Sequence, residues 1–149
     1  MPISLFAPQA IADLEQRLSH LQADTRPQWG KMNATEMLNH CAAQMEIALG
    51  EKPMKTNFLM RLVAKFVKSS ILSGRTMPKN SRTAQELLPV NVGSFDDERD
   101  KLVALMRRMK ERESVLQDKK HPFFGKMTAD EYGKITWSHL DYHFGQFGL

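Results

Sequence analysis

The chain has little of several things, and each shortage narrows what it can be. Cys41 is its only cysteine, so no intrachain disulfide forms and no thiolate zinc cage can be built. Any metal site must therefore use His, Asp or Glu. No run approaches the ~20 apolar residues that a membrane-crossing helix needs, which excludes stable membrane insertion by that route. The opening MPISLFAPQA lacks the basic start and long apolar run of a signal peptide, and the expected location is cytoplasmic. No internal repeat, low-complexity tract, Ser–His–Asp set or Cys–His nucleophile pair is legible. Acids are absent from one window. Between Lys52 and Gln85 stand Lys52, Lys55, Arg61, Lys65, Lys68, Arg75, Lys79 and Arg82, with no Asp or Glu among them. The net charge of +4 comes from this window, and the remainder of the chain is net acidic.

What is present is mostly helical periodicity. A length of 149 residues suits one domain, 1–149, around a single core. A first helix is expected from about Pro8 to Leu21, with Ile11, Leu14, Leu18 and Leu21 at helical spacing. Asn33 and Glu36 form a capping-box pair that opens a second helix, and Gly50 closes it. Met37, Leu38, Cys41, Met45 and Leu49 stripe its inner side, with His40 beside them. A third helix is expected from Phe58 to about Leu72, capped by Asn57 and stopped by Gly74. Its apolar face, Phe58, Leu62, Val63, Phe66 and Val67, is assigned to the core, and Arg61, Lys65 and Lys68 to solvent. GRTMPKNSRTAQELLPVNVGS follows as a long irregular connection. Another helix opens at Ser94 with Asp97 at its third position and turns Leu102, Leu105, Met106 and Met109 inward. The last helix starts with the capping box TADE, Thr128 to Glu131, and runs from about Ala129 to Phe147. No convincing strand is legible. The expected fold is all-α, a four-helix bundle.

His139 and His143 lie four apart on that last helix, so both imidazoles project from one face and can converge on one ion. Leu140 stands where a metalloprotease motif would carry glutamate. A bare pair at this spacing is a weak signal, and core or surface histidines that hold no metal are its commoner meaning. A third ligand would have to be His20, His40 or His121. His20 suits a helix C-terminus, and His121 precedes Pro122 in a loop. His40 faces inward. It is either a core histidine bonded to Gln44, Glu36 or a neighbouring helix, or the third member of a cluster with His139 and His143.

WGKMNATEMLNHC, followed much later by HPFFGKMTADEYGKITWSHLDYHFGQFG, resembles the DUF1569 branch of the DinB/YfiT-like superfamily, and PKNSRT resembles its central loop. The resemblance spans nearly the whole chain. It implies a DinB/YfiT-like four-helix bundle with a metal held by three histidines, one from the second helix and two from the last. His40, His139 and His143 occupy those positions. Some relatives in that superfamily are thiol S-transferases and others thiol-dependent isomerases, so the resemblance implies a small-molecule substrate and, for this chain, a transferase, hydrolase or isomerase reading without a named reaction.

Three neutral imidazoles would leave coordination positions open, which favours catalysis over scaffolding. Zn²⁺, Ni²⁺, Fe²⁺ and Cu²⁺ all suit such donors. Binding is expected to weaken as pH falls through about 6.5, because protonated imidazole cannot ligate. Glu36, Gln44 and Gln146 are the candidates for orienting the imidazoles. The basic stretch 52–85 is a solvated face, a collar that attracts an anionic thiol, or a basic amphipathic helix on an anionic membrane or partner. It carries no recognisable nucleic-acid motif. A homodimer through a helix face is open. The alternative to an enzyme is a non-catalytic helical module that uses this basic stretch.

Overall fold

The computed structural model describes residues 2–79, 81 and 83–149. These fold mainly as helices: α1 (Ala10–Leu18), α2 (Ala34–Leu49), α3 (Phe58–Leu72), a 3-10 turn (Gln85–Leu87), α4 (Phe95–Glu111), the one-turn α5 (Glu113–Leu116) and α6 (Ala129–Gln146). Asn80 and Arg82, within the PKNSRT stretch, lie outside the described residues.

Local chemistry accounts for the boundaries. The Asn33 side chain accepts from Glu36 N–H at 2.8 Å, and the Glu36 carboxylate accepts from Asn33 N–H at 3.1 Å. Two N–H groups with no helical partner are thereby satisfied. Gly50, at φ +80°, ends α2 in the left-handed conformation that costs glycine little. Thr128 and Glu131 repeat the reciprocal cap at the start of α6, and Asn57 and Ser94 cap α3 and α4. α1 is shorter than its periodicity suggests. The chain after Leu18 tightens, with His20 N–H bonding Arg17 C=O and Leu21 N–H bonding Leu18 C=O, yet Leu21 remains buried.

α2 is the central element. Met37, Leu38, Cys41, Ala42 and Met45 are fully enclosed, and α2 lies against both α4 and α6. α4 contributes Leu102, Leu105, Met106 and Met109, and α6 contributes Tyr132, Leu140 and Phe144. Cys41 sits within this core 3.7 Å from Met37 Sδ. Burial pushes its thiol pKa up, as befits a packing residue rather than a nucleophile.

Two sequence expectations fail. Lys120–His121 and Gly125–Lys126 form a two-stranded antiparallel hairpin where a plain loop was expected. His121 organises it, its Nδ1 accepting from Phe123 N–H (3.0 Å) and Phe124 N–H (3.2 Å). The larger correction concerns α3. Its helix bounds are as expected, but Ala64 and Ile71 are what it buries. Phe58 and Phe66 are each 78% exposed, and Leu59, Leu62 and Val63 are exposed as well. Only Val67 of the expected core face leans on the core. Amphipathic spacing shows that a helix has an apolar side, and not that something inside the same chain covers it.

The N-terminal segment crosses α6 at Gly133. Leu5 N–H bonds Gly133 C=O at 3.0 Å. A Cβ on Gly133 would collide with Ser4 Oγ and come within 2.8 Å of the Phe6 ring. Gly133→Ala should therefore lower stability by about 1–3 kcal/mol, as overpacking does. Gly145→Ala on the same helix meets nothing within 4 Å and should raise it by about 0.5–1 kcal/mol through helix propensity. Urea unfolding of the two variants side by side tests this, and equal shifts would contradict it.

Candidate metal centre

α2 carries His40 at its middle, and α6 presents His139 and His143 one turn apart toward it. His40 Nε2 lies 3.0 Å from His139 Nε2 and 2.9 Å from His143 Nε2, and donor atoms of all three fall within 4.8 Å of one another. The residues are only 3%, 8% and 6% exposed. The structure thus brings together the three histidines that the sequence singled out, and their arrangement can hold a metal ion.

The second nitrogen of each ring decides what the cluster needs. His40 Nδ1 lies 2.7 Å from the Leu87 carbonyl oxygen, which can only accept, so Nδ1 carries the proton. His143 Nδ1 lies 2.6 Å from Gln146 Oε1, so it too is the protonated nitrogen. In the neutral rings both Nε2 atoms are then bare lone pairs, and they face each other at 2.9 Å. No hydrogen bond joins two lone pairs, and a cation between them would satisfy both. A proton is a poor choice, because burial and then the neighbouring His40 hold the His143 pKa down to about 4. Burial also lowers His40, and burial with both neighbours lowers His139. A divalent ion fits. Nitrogens ~2.0–2.1 Å from a shared ion lie ~2.9 Å apart at a right angle and ~3.4 Å apart at a tetrahedral one. The observed separations match the first and need only a small side-chain shift for the second.

The supporting shell differs in part from expectation. Gln146 does orient His143. It is held in turn by Gln28, whose N–H bonds the Gln146 carbonyl at 2.6 Å, and by Gly30, at φ +94°, where a Cβ would stand 2.8 Å from Gln146 Nε2. The WGKM and QFG stretches therefore meet at this point. Glu36 is committed to the α2 cap, and Gln44 is buried without a hydrogen bond to His40, its Oε1 having no partner among the described residues. The Leu87 carbonyl fills the role expected of them. It is fixed by a clamp the sequence did not reveal. Asn39 exchanges hydrogen bonds with the Val90 backbone at 3.2 and 3.1 Å. Buried Glu98 accepts from Asn39 Nδ2 at 3.1 Å and from Gly93 N–H at 2.9 Å. Asn39 adjoins His40 in sequence, and this was the one available hint. Of the other candidates, His20 is exposed and His121 belongs to the hairpin.

Residues 7–148 match the family described as a protein of unknown function, DUF1569. The chain belongs to the DUF1569 family. Searches of curated proteins and of solved structures find no match. The match covers all three histidines of this DUF1569 protein, both helices that carry them and the Leu87 segment.

His139 is the exception in the DUF1569 site. Its Nδ1 is buried with no partner among the described residues, so its tautomer is set only by what its Nε2 meets. Such a ring can donate Nε2–H to His40 when no ion is bound; on metal uptake the proton moves to Nδ1, which leaves the ring neutral and its Nε2 free to ligate.

Proposed function

We propose that this DUF1569 protein binds one divalent transition ion, zinc, nickel or iron, through Nε2 of His40, His139 and His143, and acts as an enzyme on a small anionic substrate. The observation that carries the proposal is the pair of unprotonated Nε2 atoms facing each other at 2.9 Å, each fixed in that state by its own Nδ1 partner. A fully protein-ligated structural site would offer a fourth donor. No Cys, Asp or Glu joins the three histidines among the described residues, which leaves an open position. A divalent ion there supplies Lewis acidity and favours the anionic form of a bound water or thiol.

The chain's own residues would position the substrate. Tyr142 meets His143 edge-on with ring centroids 5.1 Å apart, and Trp29 meets Tyr142 at 6.2 Å. The Lys79 ammonium lies 4.4 Å over the Trp29 ring. This run of contacts leads outward from the buried histidines and ends on a cation, which suits a substrate bearing a carboxylate. The family resemblance supports a low-molecular-weight thiol as substrate, its joining through sulfur to an electrophile as the reaction, and a DinB-like four-helix bundle as the architecture.

Elemental analysis of protein purified without a histidine tag tests the binding step. About one ion per chain is expected, absent from the triple alanine variant. Loss of the thiol in the presence of an electrophile, dependent on that ion, tests the reaction. Acid should displace the ion later than free imidazole would suggest. With His143 held near 4, proton competition sets in well below the ordinary value of about 6.5. A preparation that is metal-free and takes up no ion on titration would overturn the proposal.

A further inference from the structure

The apolar side of α3 has no cover among the described residues, and its surroundings say what would cover it. At ~100° per residue, Phe58, Leu62, Phe66, Leu59 and Val63 form one contiguous arc of ~140°, and all five are exposed. Arg61 and Lys65 border this arc, and neither makes an ion pair among the described residues. Beside Lys65 a shallow groove opens between α3 and the hairpin, lined by Lys65, Lys68, Ser69, Ser73, Phe124 and Lys126. Two acids stand near these lysines. Glu131 lies 3.2 Å from Lys68 while also capping α6, and Asp118 is 3.9 Å from Lys126. The groove keeps a surplus of positive charge.

We propose that α3 docks this protein on an anionic lipid surface, with Phe58, Leu62 and Phe66 entering the headgroup–acyl boundary and the Lys65–Lys126 groove receiving lipid phosphates. Large aromatic and aliphatic residues beside unpaired cations are the composition of an interfacial helix. No helix of the described residues is long and apolar enough to cross a membrane, so the attachment lies in the interface. A second copy of the chain fits this face less well. The stretch 52–85 contains no acid, and two α3 faces brought together would oppose Arg61 and Lys65 to their own copies. A nucleic acid would match the cations and leave two phenylalanines at the centre of the contact without a role. The inference stands apart from the metal centre and does not require it.

Co-sedimentation of the full chain with phosphatidylcholine–phosphatidylglycerol vesicles, against phosphatidylcholine alone, is the test. Binding to the mixed vesicles and none to the neutral ones is expected. At roughly 1 kcal/mol per basic residue near an anionic surface, Arg61→Gln with Lys65→Gln should weaken it about thirtyfold. Phe58→Ser with Phe66→Ser should weaken it at least ~10-fold through lost apolar burial. Because Phe58 and Phe66 are already 78% exposed, the serine pair should melt like the parent, which separates docking from folding. Equal binding to neutral vesicles, no binding to either, or binding that survives the serine pair would overturn the proposal. So would a dimer, seen by sedimentation velocity without lipid, that the serine pair dissociates.

Discussion

Replacing His139 with leucine is expected to abolish metal binding while changing the stability of the metal-free protein by no more than about 1 kcal/mol. In the wild-type chain His139 has an Nδ1 buried without a partner among the described residues and an Nε2 3.0 Å from that of His40. An unsatisfied buried polar atom costs about 1–3 kcal/mol; an apolar side chain removes that cost at Nδ1 but also takes away the Nε2–H donor and leaves the His40 Nε2 unpaired at a similar cost. Binding an ion raises the wild-type midpoint with concentration by mass action; the leucine variant should show no such rise. Gln146→Ala should behave differently. It leaves three ligands and removes only the acceptor that fixes His143, so affinity should fall ~10–100-fold, as for lost orienting groups elsewhere. Urea unfolding in chelator, followed by metal titration, measures both quantities. A leucine variant whose metal-free stability changes by much more than about 1 kcal/mol, or that still binds an ion, would refute this account of the site.

Acid should weaken the fold in part through His121, a buried histidine outside the metal centre. Burial first, and then the nearby Lys119, lower its pKa to about 4, against about 6.5 in the unfolded chain. The folded state therefore disfavours the proton. The stability this represents is whole above about 6.5 and is lost as pH falls from there toward 4, a total of about 3 kcal/mol. The structural cause is visible: a proton on Nδ1 would break both hydrogen bonds from the Phe123 and Phe124 amides. Against a total stability of about 5–15 kcal/mol, this is a large share. His121→Asn retains an acceptor oxygen without a group that titrates in this range, so its stability should decline less between neutral pH and about pH 4. Urea midpoints across that range, in chelator, provide the comparison. Parallel profiles for the two proteins would show that His121 is not responsible.

Much of the scaffold was readable because its signals are local. Asn33 with Glu36, Thr128 with Glu131, Asn57 and Ser94 each announce a helix start through chemistry within three residues, and each cap forms. The spacing of His139 and His143 likewise dictates a shared face. Non-local features were harder to read. The acceptor for His40 is a backbone carbonyl, and every residue type offers one, so Leu87 carries no mark of its role. Glu36 had the right chemistry both for a cap and for an imidazole partner, and the cap is the shorter reach. The Lys120–Lys126 hairpin is two residues per strand, too short for alternation to show. The α3 spacing located an apolar side, but the side that packs inward is another one, carrying Ala64, Val67 and Ile71, because spacing does not say which face meets the rest of the chain.

The clamp of Asn39 and Glu98 makes the stretch from Leu87 to Glu98 a ruler for the metal site. Its backbone is pinned at Val90 and Gly93, and its first residue meets His40. One residue inserted between Leu87 and Val90 would move the carbonyl off its imidazole even though no ligand had changed. The described residues between Ser73 and Ala84 bear on the site differently: the Pro78 carbonyl accepts from Tyr142 and Lys79 lies over Trp29, so a change of length there would be felt at Tyr142 before it is felt at His40. Within one long connection, one half shapes the approach to the histidines and the other sets the imidazole itself.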